Sequence, residues 1–248
     1  MSLDMPKIDC HVHVGAYNVA LIRCEGFEEL AQLMQRANIE LACLSHTEAV
    51  FHSMSAGNEK LFRELPRYPQ MRGYIYVDPL RPEESLAEIR RYVGHPQLVG
   101  IKSRSEYHGV PFDAPAYRQI LELAQKHRLP LLHHTFSAEV AQQMARLLRH
   151  YDIPCIVAHS GGPAWRTVVP LLAELPNTYM DLCASIIDAE KARTIVSWVG
   201  AERVVFGSDM NLISPFWTIG MFEAAGLSEA QLRLIYRENA RRILPLGL

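Results

Sequence analysis

The chain has 248 residues, 49% of them hydrophobic and 21% charged, a balance that excludes a disordered or fibrous protein. Its 25 basic and 27 acidic residues leave a formal charge of -2, which provides no footprint for nucleic acid or an anionic membrane. No apolar run nears the roughly 18 residues that span a bilayer, no secretory segment opens the sequence, and the five cysteines (Cys10, Cys24, Cys43, Cys155, Cys183) lack CxxC spacing, so the expectation is a cytoplasmic protein with reduced, buried thiols.

Short β-type runs recur along the chain, at Lys7 to Val14, Leu41 to Thr47, Arg72 to Asp78, Leu98 to Ser103, Pro130 to Thr135, Pro154 to Ser160, Thr178 to Ala184 and Arg203 to Asp209. Several are continuously apolar, as strands buried on both faces must be. Helical periods fall between them: Phe27, Leu30, Ala31, Met34 and Ala37, then Leu86, Ile89 and Val93, then Ile120, Leu121 and Ala124. Helix starts are expected at Pro82 and at Ser228, where Ser228 and Gln231 form a capping-box pattern. No linker divides the chain. Eight strands alternating with eight helices predict one (β/α)8 barrel, a TIM barrel spanning residues 1–248, with a doubly wound open sheet as the alternative.

In a barrel the C-terminal strand ends open on one face, where the active site lies. His11 and His13 end strand one, and a spacing of two puts both imidazoles on one side of an extended chain. Strand five ends in His133 and His134, of which alternation lets only one face the centre; strand six ends in His159 and strand eight in Asp209. Three imidazoles and a carboxylate make a donor set suited to zinc and also to manganese, iron or cobalt. A lone histidine of this kind is more often structural; the combination on these strands is the signal.

Ile8-Asp9-Cys10-His11-Val12-His13, Gly100-Ile101-Lys102, Leu129-Pro130-Leu131-Leu132-His133-His134-Thr135, Ala158-His159-Ser160-Gly161-Gly162, Phe206-Gly207-Ser208-Asp209 and the closing Glu238-Asn239-Ala240-Arg241-Arg242-Ile243-Leu244 together resemble the amidohydrolase superfamily. The resemblance is to its amidohydrolase-related branch of metal-dependent hydrolases and decarboxylases, and it implies a metallo-dependent TIM barrel. By that resemblance His11, His13, His134 and Asp209 hold one divalent metal ion, with zinc first among the candidates. The family's Leu-Pro-x-x-x-His pattern selects His134 over His133, whose role is then structural. His159 and Asp209 are the implied catalytic residues. A second metal, using Lys102 as a carboxylated bridge with His159, is the less favoured arrangement in this branch.

The loop Ser103 to Pro115 is the longest specificity candidate. Arg104 in it could clamp a substrate carboxylate, with His108, and Lys102 at the end of strand four, as further substrate contacts and Glu106 and Tyr107 beside them; a solvated polar loop is the alternative for each loop residue. Glu48, His52 and Trp165 follow strand ends, Asn211 lies near Asp209, and Asp9 is expected to bond a neighbouring loop. The implied reaction is hydrolysis of an amide, lactone or ester-type bond of a small molecule. Asp209 takes and returns the proton, and the ion and His159 stabilise the oxyanion. The alternative within the branch is non-oxidative decarboxylation of a small aromatic or enoic acid. A barrel that binds without turnover is the reading from another class, and the branch also allows a homodimer.

Overall fold

The computed structural model describes residues 4–16, 25–184 and 186–247; Cys24 lies outside them. Eight parallel strands run in sequential order: β1 (Lys7–Val14), β2 (Ile39–His46), β3 (Met71–Tyr76), β4 (Leu98–Ser103), β5 (Leu131–His134), β6 (Cys155–Ala158), β7 (Thr178–Asp181) and β8 (Val204–Val205). Helices alternate with them, so the chain forms a nearly closed TIM barrel. The seam between β8 and β1 is stitched by backbone bonds: the Cys10 N–H donates to the Phe206 carbonyl and the Asp209 N–H to the His11 carbonyl, each at 2.9 Å. An isolated bridge joins Val12 to Met210.

The later strands stop earlier than the apolar runs predict. His159, Ser160, Ala184 and Asp209 have φ of +64°, +50°, +51° and +58°, a left-handed backbone that cannot continue a strand. Each break turns the chain out of the ladder at the barrel mouth. The helical layer is also richer than one helix per strand. Helices at Thr47–Phe51 and Met54–Glu64 both follow β2, and a short helix at Ser105–His108 stands inside the loop after β4.

Local chemistry accounts for the helix limits. Helix Phe27–Arg36 has Glu28 and Glu29 in its first turn and Arg36 in its last, matched to the helix dipole. It buries Leu30, Leu33 and Met34 against the sheet. Helix Pro82–Tyr92 begins on its proline, and Glu229–Arg233 is entered through the Ser228–Gln231 capping box.

Side chains sort into two apolar layers. Ile8, Cys10, Leu41, Cys43, Tyr74, Val99, Leu132, Ile156 and Val205 fill the barrel, together with Ile243, Leu244 and Leu246 of the C-terminal tail. A larger layer lies between strands and helices. The Arg72 guanidinium donates to the Leu246 carbonyl from Nε (2.9 Å) and NH2 (2.7 Å), fastening that tail.

Two bulges switch the alternation. Between Asp9 and Val12, three residues of β1 advance against two of β2. Below the bulge Ile8 and Cys10 face the interior; above it Val12 and Val14 join the outer layer, which leaves His11 and His13 to the mouth. In β4 the register slips beside Gly73 and Tyr74, so Val99 is interior, Ile101 is outer and Lys102 is turned inward. Gly100 makes the second slip feasible, since a Cβ there would sit 2.3 Å from the Pro130 carbonyl oxygen.

Candidate metal centre and cavity

The mouth holds a cavity of about 310 Å³ whose wall includes His13, Lys102, Arg104, His134, His159, Asp209 and Asn211. At its inner end His11, His13 and Asp209 form a close donor group. Asp209 Oδ1 is 3.6 Å from His11 Nε2 and 3.3 Å from His13 Nε2. Two ligands each about 2.1 Å from a tetrahedral centre stand about 3.4 Å apart, so the spacing fits a common ion. The chemistry agrees. Burial holds His13 down to about 3, with Lys102 adding to the effect, so its imidazole is neutral and can donate a lone pair. Burial pushes Asp209 the other way, but the neighbouring His11 and His13 outweigh it and keep the carboxyl well below its usual range.

The outward nitrogens are fixed from behind. The His11 Nδ1–H donates to Asp181 Oδ2 at 2.7 Å, and His13 Nδ1 lies 3.1 Å from the Ser45 hydroxyl. Both contacts turn the Nε2 of each ring toward the donor group, the arrangement in which a carboxylate or hydroxyl orients a ligating histidine. Gly207 makes room for it, because a Cβ there would lie 2.5 Å from Asp181 Oδ1 and 3.0 Å from the His11 Cβ.

Lys102 lies among the ligand candidates: its Nζ is 2.7 Å from His11 Nε2 and 3.0 Å from His13 Nε2. Burial lowers its amine to about 7, with Asp209 pulling against the shift. His134 is on the cavity wall but outside the close donor group. Its Nδ1 is 3.3 Å from Glu106 Oε2, and its ring stacks on Phe136 at 4.6 Å and meets His159 edge-on at 4.8 Å. His133 points the other way, between the Ser103 and Ser105 hydroxyls at 2.7 and 3.1 Å and against Phe112 and Tyr117.

His159 donates Nδ1–H to the Cys183 carbonyl at 3.1 Å, since a carbonyl can only accept. Its Nε2 therefore carries a lone pair, and burial holds the ring down to about 4. A neutral ring in this tautomer can accept a proton or a hydrogen bond at Nε2.

Arg104 is 5% exposed, and its guanidinium lies 3.5 Å from the Tyr107 ring centroid and 5.2 Å from that of Phe51. Its Nε has no hydrogen-bond partner among the described residues. His108 is not on the cavity wall: Asp78 Oδ1 at 3.1 Å and the Tyr76 hydroxyl at 2.8 Å hold it aside. Glu48 pairs with Lys60, and Trp165 is buried against Trp198; neither they nor His52 line the cavity. Asp9 bonds Ser208 through both its backbone N–H and its hydroxyl. Sequence reasoning missed Asp181, Ser45 and Phe136. Only Asp181 left a signal, as a lone carboxylate at the end of an apolar strand.

This barrel gathers ligand-type side chains at its C-terminal mouth. A family profile described as Amidohydrolase matches residues 8–246. The chain belongs to the amidohydrolase family. No curated protein matches the sequence. Among solved structures, a 2,6-dihydroxybenzoate decarboxylase from Rhizobium is similar at 17% identity and a TM-score of 0.75, covering 96% of this chain and 98% of that one. A dihydroxybenzoic acid decarboxylase from a Polaromonas species, with bound manganese and 2-nitroresorcinol, gives 17% identity and 0.78 over 98% of each chain. A Pseudomonas putida structure assigned as a 2-pyrone-4,6-dicarboxylic acid hydrolase gives 18% and 0.76, also over 98% of each. At these identities the likeness establishes the shared fold.

Proposed function

We propose that this chain is a metal-dependent hydrolase acting on an amide, lactone or ester-type carbonyl of a small molecule that also carries a carboxylate. The observation that supports this reading is the meeting of His11, His13 and Asp209 at the inner end of a cavity whose wall carries Arg104. Zinc suits the donor set best and manganese, iron or cobalt are tolerated; the Polaromonas relative binds manganese. A divalent ion bound there supplies Lewis acidity and lowers the pKa of water.

The remaining chemistry belongs to the chain. His11, His13 and Asp209 hold one ion, with His134 as the fourth ligand that the family pattern implies. Asp209, ionised at neutral pH, takes the proton of the attacking water and returns it to the leaving group. His159 presents the Nε2 lone pair that orients that water. Arg104, and Lys102 when protonated, receive the carboxylate.

Decarboxylation of an aromatic or enoic acid is the second reading. The unpaired Arg104 favours it, as do the activities named for the Rhizobium and Polaromonas relatives. Metal-loaded protein assayed against lactone, amide and ester panels, beside carbon dioxide release from carboxylic acids, separates the two. Hydrolysis is expected, falling about 100-fold or more in Asp209→Asn. Carbon dioxide release without hydrolysis would replace the first reading with the second.

A further inference from the structure

We infer that Asn211 selects the substrate by accepting a hydrogen bond from a hydroxyl or N–H group on the molecule whose carboxylate Arg104 receives. This rests on the reading of the cavity given above and adds a second recognition point to it. Asn211 is 1% exposed and lines the cavity. Its Nδ2 donates to the Gly15 carbonyl at 2.7 Å, and reversing the amide would set two acceptors against each other, so the orientation is fixed. Oδ1 is then the other end, and it has no hydrogen-bond partner among the described residues.

The amide is also held still. The Leu212 and Ile213 N–H groups both donate to the Asp209 carbonyl, at 2.9 and 3.3 Å, and Met210 bridges to Val12. On this side of the cavity Asp209 Oδ1 is engaged with His11 and His13, and Leu212 and Ile213 are apolar. Among the described residues Asn211 Oδ1 is therefore an unpartnered buried acceptor on this side, as Arg104 Nε is an unpartnered donor elsewhere on the wall. Leaving such a buried atom unpartnered is costly, and a ligand that brings a donor to it gains the bond. A carboxylated molecule with a donor group meets both demands; its methylated counterpart meets only one.

The test uses metal-loaded protein and measures Kd for the three monohydroxybenzoates, the matching methoxybenzoates, and the neutral pair phenol and anisole. The wild type should favour at least one hydroxy isomer over its methoxy partner by about ten-fold, the scale of a lost buried hydrogen bond. Asn211→Ala and the near-isosteric Asn211→Leu, which both remove the Oδ1 acceptor, should level that preference. Should the alanine variant destabilise the loop, the wild type and the leucine variant still decide. No hydroxyl preference in the wild type, or the same preference in Asn211→Ala, overturns the assignment. If no benzoate binds while phenol beats anisole only when Asn211 is present, the carboxylate reading falls and the Asn211 assignment stands.

Discussion

Asp181 governs the centre without touching its open side. By accepting the His11 Nδ1–H at 2.7 Å it fixes the tautomer that presents Nε2, and its own carboxyl stays low because that bond and the neighbouring imidazoles outweigh burial. Asp181→Asn keeps the shape but turns an acceptor into an ambiguous amide. Metal affinity measured by chelator competition should drop about 10- to 100-fold; an unchanged affinity would show that Asp181 serves packing alone. The pairing spans 170 positions, so no local spacing could reveal it. The orphan atoms of Arg104 and Asn211 were likewise invisible to the sequence, because what distinguishes them is the lack of a partner.

Among the elements, β1 shows how a legible motif depends on an illegible one. His-x-His spacing correctly puts both rings on one side of a strand. Strict alternation from Ile8 and Cys10, however, would turn those rings away from the interior, and only the bulge between Asp9 and Val12 restores them to the mouth. Bulges carry little sequence signature when no glycine is needed. The eighth strand is a similar case, with Val204–Val205 alone in the ladder and the rest of its apolar run bent across the seam. Gly207 sits in that bend against Asp181 and His11. Gly207→Ala should leave far-ultraviolet circular dichroism intact while weakening metal binding, because the added carbon pushes the two apart. Wild-type metal affinity in this variant would contradict the packing described for the seam.

At the scale of the molecule, the barrel was legible because eight apolar runs alternate with helical periods, a long-range rhythm that survives errors at individual boundaries. The extra helices Thr47–Phe51 and Ser105–His108 were not, since five and four residues are too few to show a helical period. Interior burial has its own consequence for stability. Burial holds His133 down to about 3 from 6.5, so the unfolded chain takes up the proton first. Its contribution is complete above about pH 6.5 and is lost as pH falls toward 3, at about 1.4 kcal/mol per pH unit. Urea midpoints should therefore drop between about pH 7 and about pH 5, and a flat profile there would contradict a neutral buried imidazole. The central claim is that His11, His13 and Asp209 hold a divalent ion. Elemental analysis of purified protein beside the His11→Ala/His13→Ala variant tests it most directly. The account predicts one bound ion per chain in the wild type, with ion and turnover lost together in the variant; a variant that turns over normally without metal would contradict it.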